Sequence, residues 1–147
     1  MNYEANTASE SPEKRAKRRL KNYKLKHNRL LTCYSALLYL LAIYTRKGTV
    51  GPRDARTMIR LTPTERLEWL LEQRWLKEAH EPIRSLLRQY RIFLRATNRS
   101  ENTLLTRVLN DENYERYTAS ASKFGDVMAT PLNAIGSRND FHRMLIV

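Results

Sequence analysis

Cysteine and glycine are scarce in this chain of 147 residues, which contains four glycines and one cysteine, Cys33. A single cysteine excludes a disulfide within the chain and indicates either a reducing compartment or indifference to redox conditions. Cys33 lies in an apolar stretch, where we expect it to be buried and unreactive. So few glycines leave no glycine-rich loop that could cradle the phosphates of a nucleotide.

Clustered metal ligands and catalytic groups are also lacking, because the three histidines lie far apart in the sequence. Zinc sites usually place a second ligand at short spacing, and none is present here. Glu78 and Glu81 flank His80 and are capable of acid–base chemistry, but in a basic helical protein such residues more often form salt bridges. We therefore expect a protein that is not an enzyme and needs neither a metal nor a cofactor.

Acidic residues are nearly absent from the first third of the chain, although the formal net charge is +12 overall. Residues 12–50 contain eleven basic residues and one acidic residue, whereas residues 100–147 contain five and six. A charge distribution of this kind concentrates a polyanion at one end of a protein. The sequence therefore predicts a nucleic acid as the main partner.

Residues 12–29 form the most basic segment, and Ser11-Pro12-Glu13 has the composition of a helix start. Nine basic residues lie in it without an intervening acid: Lys14, Arg15, Lys17, Arg18, Arg19, Lys21, Lys24, Lys26 and Arg29. Its large apolar residues are too few for a long buried stripe. We interpret the segment as a solvated arm that becomes fully helical only against its partner, preceded by a disordered tail over residues 1–11.

Residues 30–45 carry no charge and are mostly apolar. A transmembrane helix usually needs about 17–25 apolar residues, and this stretch is slightly short and contains Thr, Cys, Ser and Tyr. A helix buried in the core is the better interpretation. A membrane-attached protein, held through residues 30–45, stays open as the second alternative.

Residues 35–79 contain the segments ALLYLLAIY, RKGTVGP, RDARTMI, RLTPT and ERLEWLLEQ, followed by RWLKEA. Thr62, Pro63 and Glu65 form a capping box at a helix start. This order of elements resembles a winged helix-turn-helix DNA-binding domain, in which RWLKEA stands at the first wing strand. The resemblance implies that the helix from Pro63 enters the major groove, with Thr64 and Arg66 facing DNA.

The sequence departs from that family at Arg66, where an apolar residue is usual, and it adds the acidic residues Glu65, Glu68 and Glu72 to the reading helix. A generic helical bundle therefore remains open beside the winged helix-turn-helix. Both alternatives belong to the same predicted class, a small, mainly α-helical domain with a basic N-terminal arm or helix.

Residues 83–97 have apolar positions at helical spacing, including Leu94, and Pro82 is expected to break or kink the preceding helix. Five arginines fall within about 80° of one another beside that apolar face. They are Arg84, Arg88, Arg91, Arg95 and Arg99. Two interpretations stay open for this arginine row: a nucleic-acid contact, or ion pairs with acids of a neighbouring helix.

The domain organisation follows from these segments, with a helical core at 30–99 and a C-terminal helical segment at 100–147. Asn98 or Ser100 caps a helix that extends through Leu109. Pro131 and Gly136 interrupt the helical pattern further along the C-terminal segment. The chain ends in an apolar, strand-like run that we expect to pair within the chain, in a homodimer or in a larger complex.

These observations predict a small DNA-binding protein, either a transcription regulator or an architectural protein, located in the cytoplasm, nucleoid or nucleus and not secreted. An RNA-binding structural subunit of a ribonucleoprotein fits the same composition and remains the alternative.

Overall fold

The computed structural model describes residues 10–137, which are almost entirely helical and contain no strand. The elements are α1 (Pro12–Lys47), α2 (Pro52–Arg60), α3 (Pro63–Glu72), a 3₁₀ turn (Arg74–Leu76), α4 (Lys77–Thr97), α5 (Glu101–Leu109) and α6 (Asp111–Gly136). The predicted mainly α-helical class is confirmed. The tail over residues 1–9 and the apolar run at the C-terminus lie outside the described residues.

The helix boundaries follow the local capping signals in the sequence. The Ser11 hydroxyl accepts a hydrogen bond from the Lys14 backbone N–H at 3.3 Å, and Ser100 caps α5 in the same way. Thr62 and Glu65 form the predicted capping box of α3. Gly48 ends α1 with φ of 74°, a left-handed conformation in which a side chain would be strained.

The main hydrophobic core lies between α1, α3, α4 and α6. Leu38 of α1, Leu67 and Leu70 of α3, Ile83 of α4 and Phe124 of α6 are almost completely buried in it. The uncharged residues 30–45 supply much of the α1 contribution, including Leu31 and other buried side chains. The interpretation of this stretch as a core helix is confirmed.

The prediction of a solvated N-terminal arm is wrong, because residues 12–29 are the first half of the single 36-residue helix α1. Ala16, Leu20, Tyr23 and His27 are all less than 7% exposed. They continue the spacing of three or four residues up to Leu31 and form one buried stripe. The large apolar residues alone do not show this stripe, because Ala16 and His27 are two of its four members.

The partner that orders this half of α1 is the C-terminal part of the same chain. Ala16 and Leu20 form a small core with Leu104 and Val108 of α5. Tyr23 packs with Phe93 of α4 and with α6. The boundary predicted between an arm and a core at residue 29 therefore falls inside one continuous helix.

Several local predictions also need correction. RWLKEA is a 3₁₀ turn followed by the first residues of α4, so the wing strand predicted there is wrong. The helices α4 and α6 run through Pro82 and Pro131, and Gly136 is the last residue of α6. Pro131 is fully buried, so packing of its ring offsets the lost backbone hydrogen bond.

Two side chains are more exposed than their apolar surroundings in the sequence indicate. Cys33 is exposed, because it lies on the side of α1 that faces away from the buried stripe. Leu94 is 45% exposed, although Ile83, Leu86 and Phe93 of the same helix are buried. The buried face of α4 is therefore narrower than its apolar sequence pattern.

Candidate nucleic-acid interface

The nine basic residues in the first half of α1 divide into two groups. Three are held by acids: Lys17 with Glu13 at 2.7 Å, Arg18 with Glu10 at 2.8 Å and Arg19 with Asp111 at 2.8 Å. The other six have no carboxylate oxygen within 4 Å among residues 10–137 and are exposed or half-buried. These six form the α1 cationic surface: Lys14, Arg15, Lys21, Lys24, Lys26 and Arg29.

Arg19 has a structural position that the sequence did not indicate. Its guanidinium donates a hydrogen bond to the Val108 carbonyl at 2.9 Å and lies 4.4 Å from the centre of the Tyr114 ring. It also pairs with Asp111 at the start of α6. Arg19 therefore joins α1 to the α5–α6 connection, and its role as a free nucleic-acid contact is not supported.

The buried stripe fixes the direction in which the α1 cationic surface points. At about 100° per residue, five of the six cations project at least 100° away from both Leu20 and His27, whereas Lys24 projects only about 40° from Leu20, at the border of the buried stripe. The basic segment from residue 14 to residue 29 extends over roughly 22 Å. The surface is therefore a preformed, broad band of charges on a helix that is anchored by its buried stripe.

A groove of about 570 Å³ lies at one edge of this surface, between α1 and α5. Lys17, Lys21 and Lys24 line its α1 side, and Arg99 reaches it from the end of α4. Its apolar lining comes from leucines of α1 and α5, and Glu101 contributes one acid. This groove is the place where the α1 cationic surface meets the last member of the arginine row.

His27 closes the aromatic core beneath the cationic surface and is 1% exposed. Its ring stacks on Phe93 with 4.2 Å between centroids, and its Nδ1 lies 3.1 Å from the Tyr23 carbonyl oxygen. That contact requires a proton on Nδ1 to donate the bond. Burial lowers the pKa of His27, and the neighbouring Lys26 charge lowers it further.

Tyr23 supports the same cluster from the preceding turn of α1. Its ring lies 4.7 Å from His27 and 4.7 Å from Tyr117 of α6. Burial raises the pKa of Tyr23 to about 12, so the phenol stays neutral throughout the physiological range. The aromatic cluster is therefore an uncharged support for the charged surface above it.

The candidate reading helix α3 buries Arg66, one of its two predicted DNA contacts. Arg66 is 8% exposed, and its guanidinium donates hydrogen bonds to the Met58 carbonyl at 2.9 Å, the Thr32 carbonyl at 3.3 Å and the Ser35 hydroxyl at 3.3 Å. Burial lowers its pKa. The prediction that Arg66 faces DNA is therefore wrong: it fills the core position where the resembled family has an apolar residue.

Thr64 lies in the first turn of α3 and is half-buried, with its hydroxyl 3.4 Å from that of Thr62. The acids Glu68 and Glu72 are exposed on the same helix. Phosphates are repelled by such acids, so α3 offers little positive charge to a nucleic acid.

The arginine row of α4 is only partly unpaired. Glu81 of the same helix lies 2.7 Å from Arg88 and 3.8 Å from Arg84. These two arginines therefore satisfy the ion-pair interpretation, with an acid from their own helix and not from a neighbour. Arg91 and Arg95 are exposed without a carboxylate within 4 Å in the part of the chain described here, as is Arg99 beyond the helix end.

A third group of arginines was missed from the sequence. Arg53, Arg56 and Arg60 of α2 are exposed, with spacings of three and four residues that place them on one helical face. The helical projection that identified the α4 row would have found them. In the resembled order of elements, this short helix is the first member of the helix-turn-helix.

Over residues 10–137, no group of three or more histidine, cysteine, aspartate or glutamate side chains has a geometry that could hold a metal ion. None of the helices described has both the length and the apolar character to cross a membrane. Comparisons with protein-family models, curated proteins and solved structures find no match to this chain.

Proposed function

We propose that this protein binds the phosphate backbone of a nucleic acid, duplex DNA in the first instance, through the α1 cationic surface. The observation that supports the proposal is the set of six cations that lack acidic partners on one ordered helix. Unpaired cations held close together repel one another. Binding to phosphates removes that repulsion and releases counterions from the nucleic acid, which is favourable at moderate salt.

The rigidity of α1 favours a regular backbone as the target. The buried stripe from Ala16 to Leu31 holds the cations in place before any partner arrives, so little conformational entropy is lost on binding. Arginine and lysine side chains spread over roughly 22 Å suit the repeating phosphates of a duplex. A flexible arm would instead adapt to the irregular folds of RNA.

Contacts to phosphates, and not to base edges, are the mode of binding that we propose. Arg66 is committed to hydrogen bonds within the protein, and α3 carries exposed acids. Neither feature favours direct readout of bases in the major groove. An architectural DNA-binding protein is therefore better supported than a sequence-reading transcription regulator, and an RNA-binding subunit remains the alternative that the experiment must distinguish.

The experiment is a salt titration of binding to duplex DNA, single-stranded DNA and duplex RNA by fluorescence anisotropy. Charge substitutions are used because a deletion of residues 1–29 would remove Leu20 and Tyr23 from the core. The test variant is Lys21→Gln/Lys24→Gln, since glutamine preserves helix propensity. The control is Lys77→Gln/Lys123→Gln, which removes the same formal charge from two exposed lysines that lie outside the surface.

We expect the logarithm of affinity for duplex DNA to fall linearly with the logarithm of salt concentration. The test variant should reduce the magnitude of the slope by about 2, since each lost phosphate contact contributes about 0.9. The control should change it by much less. Equal slopes for the two variants would contradict the proposed surface, and absence of binding at low salt would contradict the function.

A further inference from the structure

Helix α2 packs alongside the second half of α1 and runs in the opposite direction. The Arg66 guanidinium joins the two helices, because it donates hydrogen bonds to the Met58 carbonyl of α2 at 2.9 Å and the Thr32 carbonyl of α1 at 3.3 Å. Near the start of α2, Asp54 pairs with Lys47, the last residue of α1, at 2.8 Å. The C-terminal end of α2 therefore lies close to the basic half of α1.

One face of α2 carries three exposed arginines and is called the α2 arginine face: Arg53, Arg56 and Arg60. At about 100° per residue, all three project at least about 140° away from Met58, which is half-buried. They extend over about 10 Å along the helix. The α2 arginine face therefore points outward from the bundle.

The acids closest to this face in the sequence are both held by other groups. Asp54 accepts a hydrogen bond from the Gly51 N–H at 3.0 Å and pairs with Lys47. Glu65 accepts a hydrogen bond from the Thr62 N–H at 2.7 Å. Among residues 10–137, no carboxylate oxygen lies within 4 Å of the three guanidinium groups. The α2 arginine face therefore keeps its positive charge.

The α1 cationic surface includes residues on the same side of α1 as α2. Thr32 and Lys47 mark that side, because they are the α1 residues linked to α2 by Arg66 and by Asp54. Lys14 and Lys21 project within about 20° of Thr32 at about 100° per residue. Arg29 projects in nearly the same direction as Lys47. The cations of α1 therefore continue into those of α2 along one edge of the molecule.

This edge is longer than the α1 cationic surface alone. Lys14 lies roughly 27 Å from Thr32 along α1, and α2 carries the charge about 10 Å further, from Arg60 to Arg53. The combined length of roughly 37 Å matches about 11 base pairs of a duplex, whose phosphates rise by about 3.4 Å per base pair. The basic segment of α1 alone matches about 6–7 base pairs.

The chemistry of the α2 arginine face fits a phosphate backbone better than it fits an acidic protein. Guanidinium groups form paired hydrogen bonds with phosphate oxygens, and arginine is the usual residue for that contact. The apolar residue beside them is Ile59, which is 70% exposed, and a lone exposed apolar side chain is ordinary. A stable protein interface normally needs a buried apolar centre, and α2 offers none.

We propose that the α2 arginine face extends the α1 cationic surface, so that one nucleic-acid duplex binds along both helices in a single site of about 11 base pairs. This inference rests on the proposed function, because the α1 cationic surface holds the first part of the duplex. A duplex suits a straight edge of this length, since its persistence length is about 50 nm. Arg53 and Arg56 then contact phosphates that α1 does not reach.

Two DNA hairpins, with stems of about 7 and about 14 base pairs, test the extension by fluorescence anisotropy over a range of salt concentrations. The short stem covers the α1 cationic surface, and the long stem also reaches the far end of α2. The test variant is Arg53→Gln/Arg56→Gln, which removes the two α2 cations furthest from Arg29. The control is Lys77→Gln/Lys123→Gln, which removes the same formal charge from two exposed lysines outside the edge.

On the long stem, the test variant should lower affinity about tenfold and the magnitude of the salt slope by about 2, since each phosphate contact contributes about 0.9. On the short stem, its affinity should stay within about threefold of wild type, as should that of the control on both stems. Equal losses on the two stems, or a loss on the long stem no larger than that of the control, would overturn the extension.

Analytical ultracentrifugation with the long stem in excess distinguishes one continuous site from two separate sites. We expect complexes that contain one hairpin per protein, and complexes with two hairpins per protein would overturn the proposal. Failure of the wild type to bind either stem at low salt instead contradicts the proposed function.

Discussion

Arg66 is predicted from the sequence to contact DNA, but its side chain is buried. Its guanidinium donates hydrogen bonds to two carbonyl oxygens and a hydroxyl within the protein. We predict that Arg66→Ala lowers the free energy of unfolding by about 1–3 kcal/mol, because these acceptors lose a charged donor in a partly buried site. Urea denaturation measures the loss. Thr64→Ala, on the same helix, should change stability by less than about 0.5 kcal/mol.

Duplex affinity of folded Arg66→Ala protein should equal that of wild type, because the side chain faces the interior. A selective loss of affinity at unchanged stability would restore Arg66 as a nucleic-acid contact.

His27 gives a second prediction at this scale, since burial lowers its pKa in the folded protein. The unfolded imidazole takes up a proton near pH 6.5, so below that pH the unfolded state binds more protons and stability falls. The loss should reach at most about 1.4 kcal/mol per pH unit between about pH 6.5 and 5. Above pH 6.5 the contribution is fully present.

Urea denaturation at several pH values measures this dependence, with His27→Phe as the comparison. Phenylalanine retains the stacking with Phe93 but does not titrate. The variant should have a flat profile in that window, and an unchanged slope would assign the dependence to another group.

At the scale of elements, α1 is the helix on which both the fold and the proposed site depend. Its first half packs on α5 and α6 in the free protein, so we predict slow hydrogen exchange for the amides of residues 16–27 without any nucleic acid. Saturating duplex DNA should leave the helical content by circular dichroism unchanged. Leu20→Ala should lower stability by about 2–4 kcal/mol, because Leu20 is 6% exposed between α1 and α5.

Fast exchange that becomes slow only when DNA is added would instead indicate an arm that folds on binding. That outcome would favour the RNA-binding alternative, in which a flexible basic segment orders against its partner.

At the scale of the whole molecule, the formal net charge of +12 leaves the folded chain with self-repulsion that salt screens. We predict that Tm rises by a few degrees between about 20 and 200 mM NaCl, since 1 kcal/mol corresponds to roughly 3 °C for a chain of this size. Differential scanning fluorimetry measures it. Lys21→Gln/Lys24→Gln should show a smaller rise, and an equal rise would place the repulsion elsewhere.

The amino-acid sequence alone was sufficient for the helical class and for most helix ends. Ser11, Thr62 and Ser100 cap helices as predicted, because a cap involves only the next three residues. The core face of residues 30–45 was equally clear, since its apolar residues repeat within one helix.

Only the tertiary structure decided which charges are free. Lys17 is neutralised by a residue four positions away, whereas Arg19 is held by Asp111 and Arg66 by groups from α1 and α2. Composition contains no information about contacts between distant segments, so it could not separate Arg19 and Arg66 from Lys21 or Lys24. The same reason applies to the first half of α1: a stripe of small and aromatic residues becomes a core only when α5 and α6 pack against it.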